Sequence, residues 1–277
     1  MSQESAPLNS LKNQKKKRAI FVVSQKCGVG KTTFARGLLD TLRKEGHTVA
    51  AYDADGQVGQ LLQYHGSRTD NRLDIEQDPR IGVGYFDVRD DKQRDELVNA
   101  LGLGAEIILM DMPGGSVQEM AKVLGSSKRD NPMASRALIR AYADNGYEVI
   151  IVVVISNVIS SVRTVNETIT LFGDEATYLV VKNEMFGDAD DFVVFDGYED
   201  ALKKKRHGKG LESLLSVGGK VIVMPKMHAA TYGIVDLEST PFSKINLIDH
   251  IPMADKMRVS GWLNNFAHAI AETPVAP

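Results

Sequence analysis

The sequence predicts an α/β protein with a doubly wound, mostly parallel sheet and helices on both faces. Two observations lead there. Short apolar runs alternate along the chain with stretches of helical spacing, the pattern of strands joined by crossover helices. A glycine-rich loop also falls between the first such run and the first helix, where ligands of these folds bind.

Taken in order, residues 1–17 are polar and end in Lys15, Lys16 and Lys17. They read as a flexible basic tail. A single domain then runs over 18–277. Ala19–Val23 is apolar and partly β-branched, and reads as a buried strand. Thr32–Lys44 follows with Phe34, Leu38, Leu39 and Leu42 on one helical face, and Gly46 stops it. Strands are expected at Thr48–Tyr52, Ile81–Val88, Ile107–Met110, Val149–Ile155, Tyr178–Val181 and Val221–Met224. Helices are expected around Val58–Tyr64, Lys92–Leu101, Val117–Leu124, Ser135–Ala143 and Ser160–Phe172. Asp255–Ala271 closes the chain as a helix, with Met257, Trp262, Leu263, Phe266 and Ile270 on one face. Between the last strands, 187–200 is acidic and 203–209 basic. That shift reads as an inserted surface segment within 184–218.

Composition excludes several classes. The chain has 277 residues, 43% hydrophobic and 25% charged, with a net charge of -3. It is no polycation, so any basic surface is local. Its one cysteine, Cys27, can form no internal disulfide and cannot hold an iron–sulfur cluster within one subunit. No apolar run approaches the roughly 20 residues of a membrane span, and the polar start offers no signal-peptide core. A cytoplasmic location is expected.

The chemistry begins at Ser24-Gln25-Lys26-Cys27-Gly28-Val29-Gly30-Lys31-Thr32-Thr33. Glycines let successive N–H groups turn inward onto phosphate oxygens, and the helix that starts near Lys31 adds its positive end. Lys31 is placed to reach the β- and γ-phosphates, and the Thr32 hydroxyl to ligate Mg2+. The ordinary P-loop spacing would put a glycine at 25, where this chain has glutamine. The stretch 26–33 instead resembles the deviant Walker A motif of the ParA/MinD family of ATPases, Lys-Gly-Gly-x-Gly-Lys-Thr-Thr, departing only at Cys27. A small side chain fits there if the position needs no positive φ. Cys27 reads as a loop filler or as a reactive thiol.

The resemblance implies a P-loop NTPase fold, ATP and Mg2+ as cofactors, and nucleotide contacts from Cys27, Gly28, Val29, Gly30, Lys31, Thr32 and Thr33. It implies that Lys26 reaches a partner's nucleotide across an ATP-bound homodimer, much as an arginine finger acts elsewhere. Asp53-Ala54-Asp55-Gly56-Gln57 resembles the family's Asp-x-Asp-x-Gln. By that resemblance Asp55 orients the attacking water and Asp53 supports the metal; the bland reading is a pair of helix-capping aspartates. Ile107–Asp111 followed by Met112-Pro113-Gly114-Gly115 looks like a Walker B strand with Asp111 near Mg2+ and glycines free to switch. Asn183 and Pro225 match positions beside the adenine ring. No Asn-Lys-x-Asp is present, which favours ATP over GTP.

Partners follow less directly. No basic amphipathic helix follows the closing one, so direct membrane binding is not expected. Lys203, Lys204, Lys205, Arg206 and Lys209, or Lys12, Lys15, Lys16, Lys17 and Arg18, could bind DNA without sequence preference; both that and a plain solvated face stand. The first functional reading is a ParA-like ATPase, a dimerising switch that positions or segregates DNA or another cargo. Its slow hydrolysis would be stimulated by a ParB-like or other adaptor protein. The alternative is a small-molecule P-loop ligase or kinase of the dethiobiotin-synthetase type, which has no need of Lys26.

Overall fold

The structure is a computed structural model that describes residues 16–56, 59–124 and 132–277. In chain order the elements are β1 (Lys17–Val23), α1 (Lys31–Lys44), β2 (Val49–Asp53), α2 (Gln60–His65), the hairpin β3 (Arg68–Thr69) and β4 (Arg72–Leu73), and β5 (Gly84–Tyr85). There follow α3 (Glu96–Asn99), β6 (Ile107–Asp111), α4 (Val117–Met120), α5 (Pro132–Asp144), β7 (Tyr147–Ile155), α6 (Ile159–Phe172) and β8 (Thr177–Asn183). The chain ends through α7 (Val193–Asp196), the hairpin β9 (Gly197–Glu199) and β10 (Lys205–His207), α8 (Lys209–Ser216), β11 (Lys220–Met224), α9 (Ala229–Leu237) and α10 (Met253–Ile270).

Seven strands form one sheet in the order β11-β8-β7-β1-β6-β2-β5, and every pairing in it is parallel. Successive side chains of a strand point to opposite faces, and the sheet divides its apolar residues accordingly. Ala19, Phe21 and Val23 of β1 join one core with residues of α3 to α6 and α8. Ile20 and Val22 join a second core with α1, α2, α9 and α10. Strands covered on both faces must be apolar throughout, which is why they read as continuous runs.

α1 and α10 pack closely at Gly37. A Cβ there would lie 3.0 Å from the Trp262 ring and 3.2 Å from Phe266. Trp262 and Phe266 stack at 5.2 Å, and Phe266 meets Phe34 edge-on at 5.3 Å. The expected face of α10 is corrected at one position. Met257 is exposed, while Val259 takes a buried place beside Trp262, Phe266 and Ile270.

Several boundaries also move. β1 begins at Lys17, whose ammonium lies over the Tyr147 ring at 5.1 Å. Lys17 is therefore part of the sheet, while residues 1–15 of the expected tail lie outside the described residues. The expected strand at 81–88 shrinks to Gly84–Tyr85. The helix expected from Val58 starts at Gln60, and residues 57 and 58 lie outside the described residues.

The segment 184–218 is more than a surface addition. It contains α8, the crossover between β8 and β11, and two parallel neighbours require such a connection. Phe192, Phe195 and Leu214 are fully buried in the first core. The buried Lys182 of β8 anchors the segment, donating to Asp196 Oδ2 at 2.6 Å and to the Ala189 carbonyl at 3.0 Å.

Phe266 lies in the core that fixes α10 against α1. Phe266→Ala is expected to cost about 3–5 kcal/mol by cavity formation. Urea unfolding would check this, and a loss below about 1 kcal/mol would show that the α1–α10 contact is loosely packed.

Candidate nucleotide site

The site is assembled by register. β1, β6 and β2 end side by side, with Val22 opposite Asp111 and Asp111 opposite Asp53. The loop 24–30 leaves β1 at this edge and feeds α1 directly. Gly28 and Gly30 adopt positive φ of 75° and 98°, a region that glycine enters without strain. Cys27 is not among the described positive-φ residues, so the condition for tolerating a side chain there is met. Its thiol is exposed and packs against the turn after β6, where a Cβ on Gly114 would lie 2.8 Å from Sγ. Gly115 has φ 77° and its N–H donates to the Ser24 carbonyl at 3.1 Å. The two loops are thus in direct contact.

A cavity of about 260 Å3 opens between them, lined by Cys27, Gly28, Lys31, Thr32, Asp53, Asp55, Gln60, Asp111, Met112 and Gly114. Sequence reasoning passed over Gln60, whose type carries no signal of its own. Lys31 is buried, and its Nζ donates to the Lys26 carbonyl at 3.3 Å. Lys26 is exposed, and among the described residues its ammonium has no acidic partner.

Asp53 and Asp111 are both buried. Burial pushes both carboxyls above the usual carboxylate range; the charge of Asp53 raises Asp111 further, and that of Asp55 raises Asp53. Backbone N–H groups of Leu62 and Asp55 donate to Asp53 at 3.1 Å each and oppose the rise. For Asp111 the Thr32 hydroxyl and the Lys31 charge oppose it. Asp111 Oδ1 nevertheless has no hydrogen-bond partner among the described residues. An orphaned buried carboxylate oxygen facing a cavity beside a hydroxyl and a second carboxylate suits a hard cation. No group of three or more acidic, His or Cys ligands occurs among the described residues. Mg2+ fits such a site, because it keeps water and phosphate oxygens in its shell. Thr32, Asp111 and Asp53 would hold it, and its chemistry when bound is to neutralise charge at the phosphates.

Asp55 is half-buried at the cavity wall. Its Oδ1 accepts from Arg89 Nη1 at 3.0 Å, a partner with no recognisable sequence signal.

A second cavity of about 210 Å3 adjoins the loop on the other side, lined in part by Gly30, Thr33, Asn183, Met185, Met224, Pro225, Tyr232 and Trp262. Asn183 and Pro225 therefore line the same cavity. Asn183 Nδ2 donates to the Val29 carbonyl at 2.8 Å and its Oδ1 accepts from Met185 N at 3.0 Å. One N–H and one lone pair are left for a base edge. Trp262 Nε1 donates to the Pro225 carbonyl at 2.7 Å and fixes that wall. Thr33 faces here as well, with its hydroxyl 2.9 Å from Tyr232 Oη. Two adjoining chambers, one charged and one largely apolar, match a phosphate chain and a base. Residues 20–232 match the CobQ/CobB/MinD/ParA nucleotide binding domain, more than half of the chain. The chain belongs to this family. Among solved structures, the septum site-determining protein MinD of Pyrococcus horikoshii, complexed with Mg-ADP, is 17% identical. That match covers 91% of this chain and 95% of that one at a TM-score of 0.50. MinD of Aquifex aeolicus is 15% identical over 91% and 97% at 0.46. Apo McdA of Cyanthece is 12% identical over 90% and 99% at 0.46. No curated protein matches the sequence. At such identities the likeness is one of fold, and the P. horikoshii MinD shares the fold of this family member.

The basic run at 203–209 lies far along the chain, on the β9–β10 hairpin and the start of α8. Its charge is partly neutralised within the hairpin. Lys203 pairs with Glu199 at 3.2 Å and Arg206 with Asp200 at 2.8 Å. The end of the acidic stretch, Glu199 and Asp200, thus meets the basic stretch across one hairpin. Lys204, Lys205 and Lys209 are exposed, with no ion pair among the described residues. Of the second basic group, Lys16 pairs with Glu148 at 2.7 Å and Arg18 donates to the Ala276 carbonyl. Lys12, Lys15 and Gln57 lie outside the described residues.

The carboxylate pair makes a signed prediction. A buried acid with a raised folded pKa keeps a proton that the unfolded chain releases from about pH 4 upward. Without nucleotide, the pair's contribution to stability therefore falls as pH rises from there toward neutrality. Asp111→Asn removes the like charge and is expected to stabilise the ligand-free protein by on the order of 1–3 kcal/mol at pH 7 and by less at pH 4.5. Millimolar Mg2+ with nucleotide should raise the melting temperature of the wild type more than that of this variant. Thermal melts across pH check both, and a variant less stable than wild type at pH 7 would contradict the account.

Proposed function

We propose that this chain is an ATP-dependent dimerisation switch that hydrolyses ATP and positions DNA or another intracellular cargo, with a partner protein stimulating turnover. The observation that carries the reading is Lys26. It is an exposed cation next in sequence to Cys27, which lines the phosphate cavity; it has no acidic partner among the described residues, and the other lysine of the loop is buried. A small-molecule ligase or kinase has no use for Lys26. A second copy facing the cavity does, because Lys26 would then meet phosphate charge from outside. The shared fold with a relative described as complexed with Mg-ADP supports adenine nucleotide and Mg2+ as ligands.

The chain's own groups divide the work. Inward N–H groups of 28–32 and the start of α1 hold phosphate oxygens. Lys31 neutralises charge on the bridging side. Asn183 and Pro225 receive the base. Asp55 orients a water toward the terminal phosphate, a task of positioning more than of basicity. The contact of Gly114 and Gly115 with the phosphate loop makes that turn the natural reporter of the γ-phosphate.

Solution mass with ADP and with ATP tests the switch. The wild type is expected to be monomeric with ADP and dimeric with ATP. Asp55→Ala should trap the dimer, and Lys26→Ala should bind nucleotide without turning over. A mass indifferent to nucleotide in all three proteins would sink the cycle and redirect the search to small phosphoryl acceptors.

The cargo reading rests on Lys204, Lys205 and Lys209. If they touch DNA, replacing all three with glutamate should weaken binding of the ATP form to duplex DNA. The salt slope should fall by about 0.9 for each phosphate that is no longer neutralised. Binding with no salt dependence, or none at all, would assign the switch to a cargo other than DNA.

A further inference from the structure

The segment 87–94 links β5 to α3 and carries two arginines that the phosphate site does not itself explain. Arg89 reaches the cavity wall, with Nη1 3.0 Å from Asp55 Oδ1. Its backbone is set by Asp87, whose Oδ1 accepts from Arg89 N at 2.9 Å. Asp87 in turn presses on the loop that holds Asp55. A Cβ on Gly56 would lie 2.2 Å from Asp87 Cβ, so only glycine at 56 permits the approach.

Arg94 is buried and directs its guanidinium at four partners. Nε donates to the Val88 carbonyl at 2.9 Å, and Nη1 to Asp91 Oδ1 at 2.5 Å. Nη2 donates to the Arg89 carbonyl at 3.1 Å and to Glu119 Oε2 at 3.1 Å. Glu119 belongs to α4, which starts two residues after Gly115. A continuous chain of contacts therefore runs from the turn at 114–115, through α4, Glu119, Arg94 and the backbone of Arg89, to the carboxylate of Asp55.

We propose that Arg89 is a positioning residue for Asp55, and that Arg94 and Glu119 tie its position to the turn at Gly114–Gly115. This rests on the reading of the cavity as an ATP-hydrolysing site with Asp55 orienting the water. A half-buried aspartate on a loop is free to turn about its side-chain torsions. A guanidinium on Oδ1 removes that freedom and leaves Oδ2 to accept from the water. Arg94 satisfies its donors from both sides of the gap, so α4 cannot shift without moving the Arg89 backbone or leaving buried donors unpaired. Occupancy of the turn by a terminal phosphate is in this way felt at the water-orienting group.

The test is steady-state ATP hydrolysis with direct nucleotide binding for wild type, Arg89→Ala, Arg89→Lys, Glu119→Gln, Asp55→Asn and the Asp55→Asn/Arg89→Ala double variant. Arg89 is exposed, so its removal leaves the fold intact. Arg89→Ala is expected to lower kcat about tenfold or more while KM and the nucleotide Kd hold. Arg89→Lys should recover part of the loss, since it restores charge without the fork. Glu119→Gln should lower kcat about threefold or more in the same sense. In the Asp55→Asn background, loss of Arg89 should add nothing, because both residues act as one unit. Wild-type turnover with an Arg89→Ala kcat unchanged, or an Arg89 effect that persists on top of Asp55→Asn, overturns the inference and leaves the ATPase reading standing. A wild type that binds nucleotide but hydrolyses none overturns the ATPase reading and the inference with it.

Discussion

Two carboxylates taken out of water on neighbouring strand ends set the terms for the rest of this structure. Asp53 and Asp111 are opposite each other in the β2–β6 register, so the sheet itself forces them together. Neither can move apart without breaking a parallel ladder. Like charges in a dry setting repel strongly, and the surrounding groups make sense as responses to that repulsion. Two backbone N–H groups serve Asp53, the Thr32 hydroxyl and Lys31 serve Asp111, and one Asp111 oxygen has no hydrogen-bond partner among the described residues. Three elements have to end at one place for this to work, and α1 has to begin there. The order β7-β1-β6-β2 achieves it.

The second core holds α1 in that position. Aromatic residues of α10 close on Gly37, and Arg36 lies fully buried on the adjoining face. Its guanidinium lies 3.4 Å from the Tyr64 ring centroid and 4.1 Å from that of Phe242. Burial lowers its pKa, and the ring faces offset part of that desolvation. Tyr64 is on α2 and donates to Asp236 on α9. The helix that carries the phosphate loop is thus clamped to the helices that follow Asp55 and Pro225. A rigid base of this kind leaves motion to the loops, where small backbone changes meet the least resistance.

The strands and long helices could be read from sequence because burial on both faces and amphipathic spacing leave direct marks on composition. The phosphate loop, Asp53, Asp55 and Asp111 stood out in the sequence through their resemblance to the family's motifs, and the structure brings them to one cavity. Other features left no such mark. α8 has only 8 residues, and the charged hairpin beside it disguised a required crossover as an insertion. Met257 and Val259 exchanged roles because a short apolar pattern on a long helix does not fix which side turns inward. Arg89 and Arg94 sit in a run of alternating charges, Asp87 to Arg94, that looks like any solvated loop. Only their distances distinguish them, since one meets Asp55 and the other is buried against α4.

Cys27 shows how far a motif can bend without losing its geometry. The loop needs left-handed backbone at two positions, and glycine supplies both, at 28 and 30. Position 27 needs smallness instead, because Gly114 approaches it to within the reach of one side-chain atom. A larger residue would push the turn after β6 away from the loop and break the Gly115 to Ser24 hydrogen bond at 3.1 Å. The same contact explains why two glycines follow Pro113, one for close approach and one for positive φ. Smallness at 27 and 114 is therefore a single constraint shared by two loops, and Gly115 adds the positive φ. The constraint keeps the phosphate cradle and the turn that follows Asp111 in direct contact, beside the exposed Lys26 of the same loop.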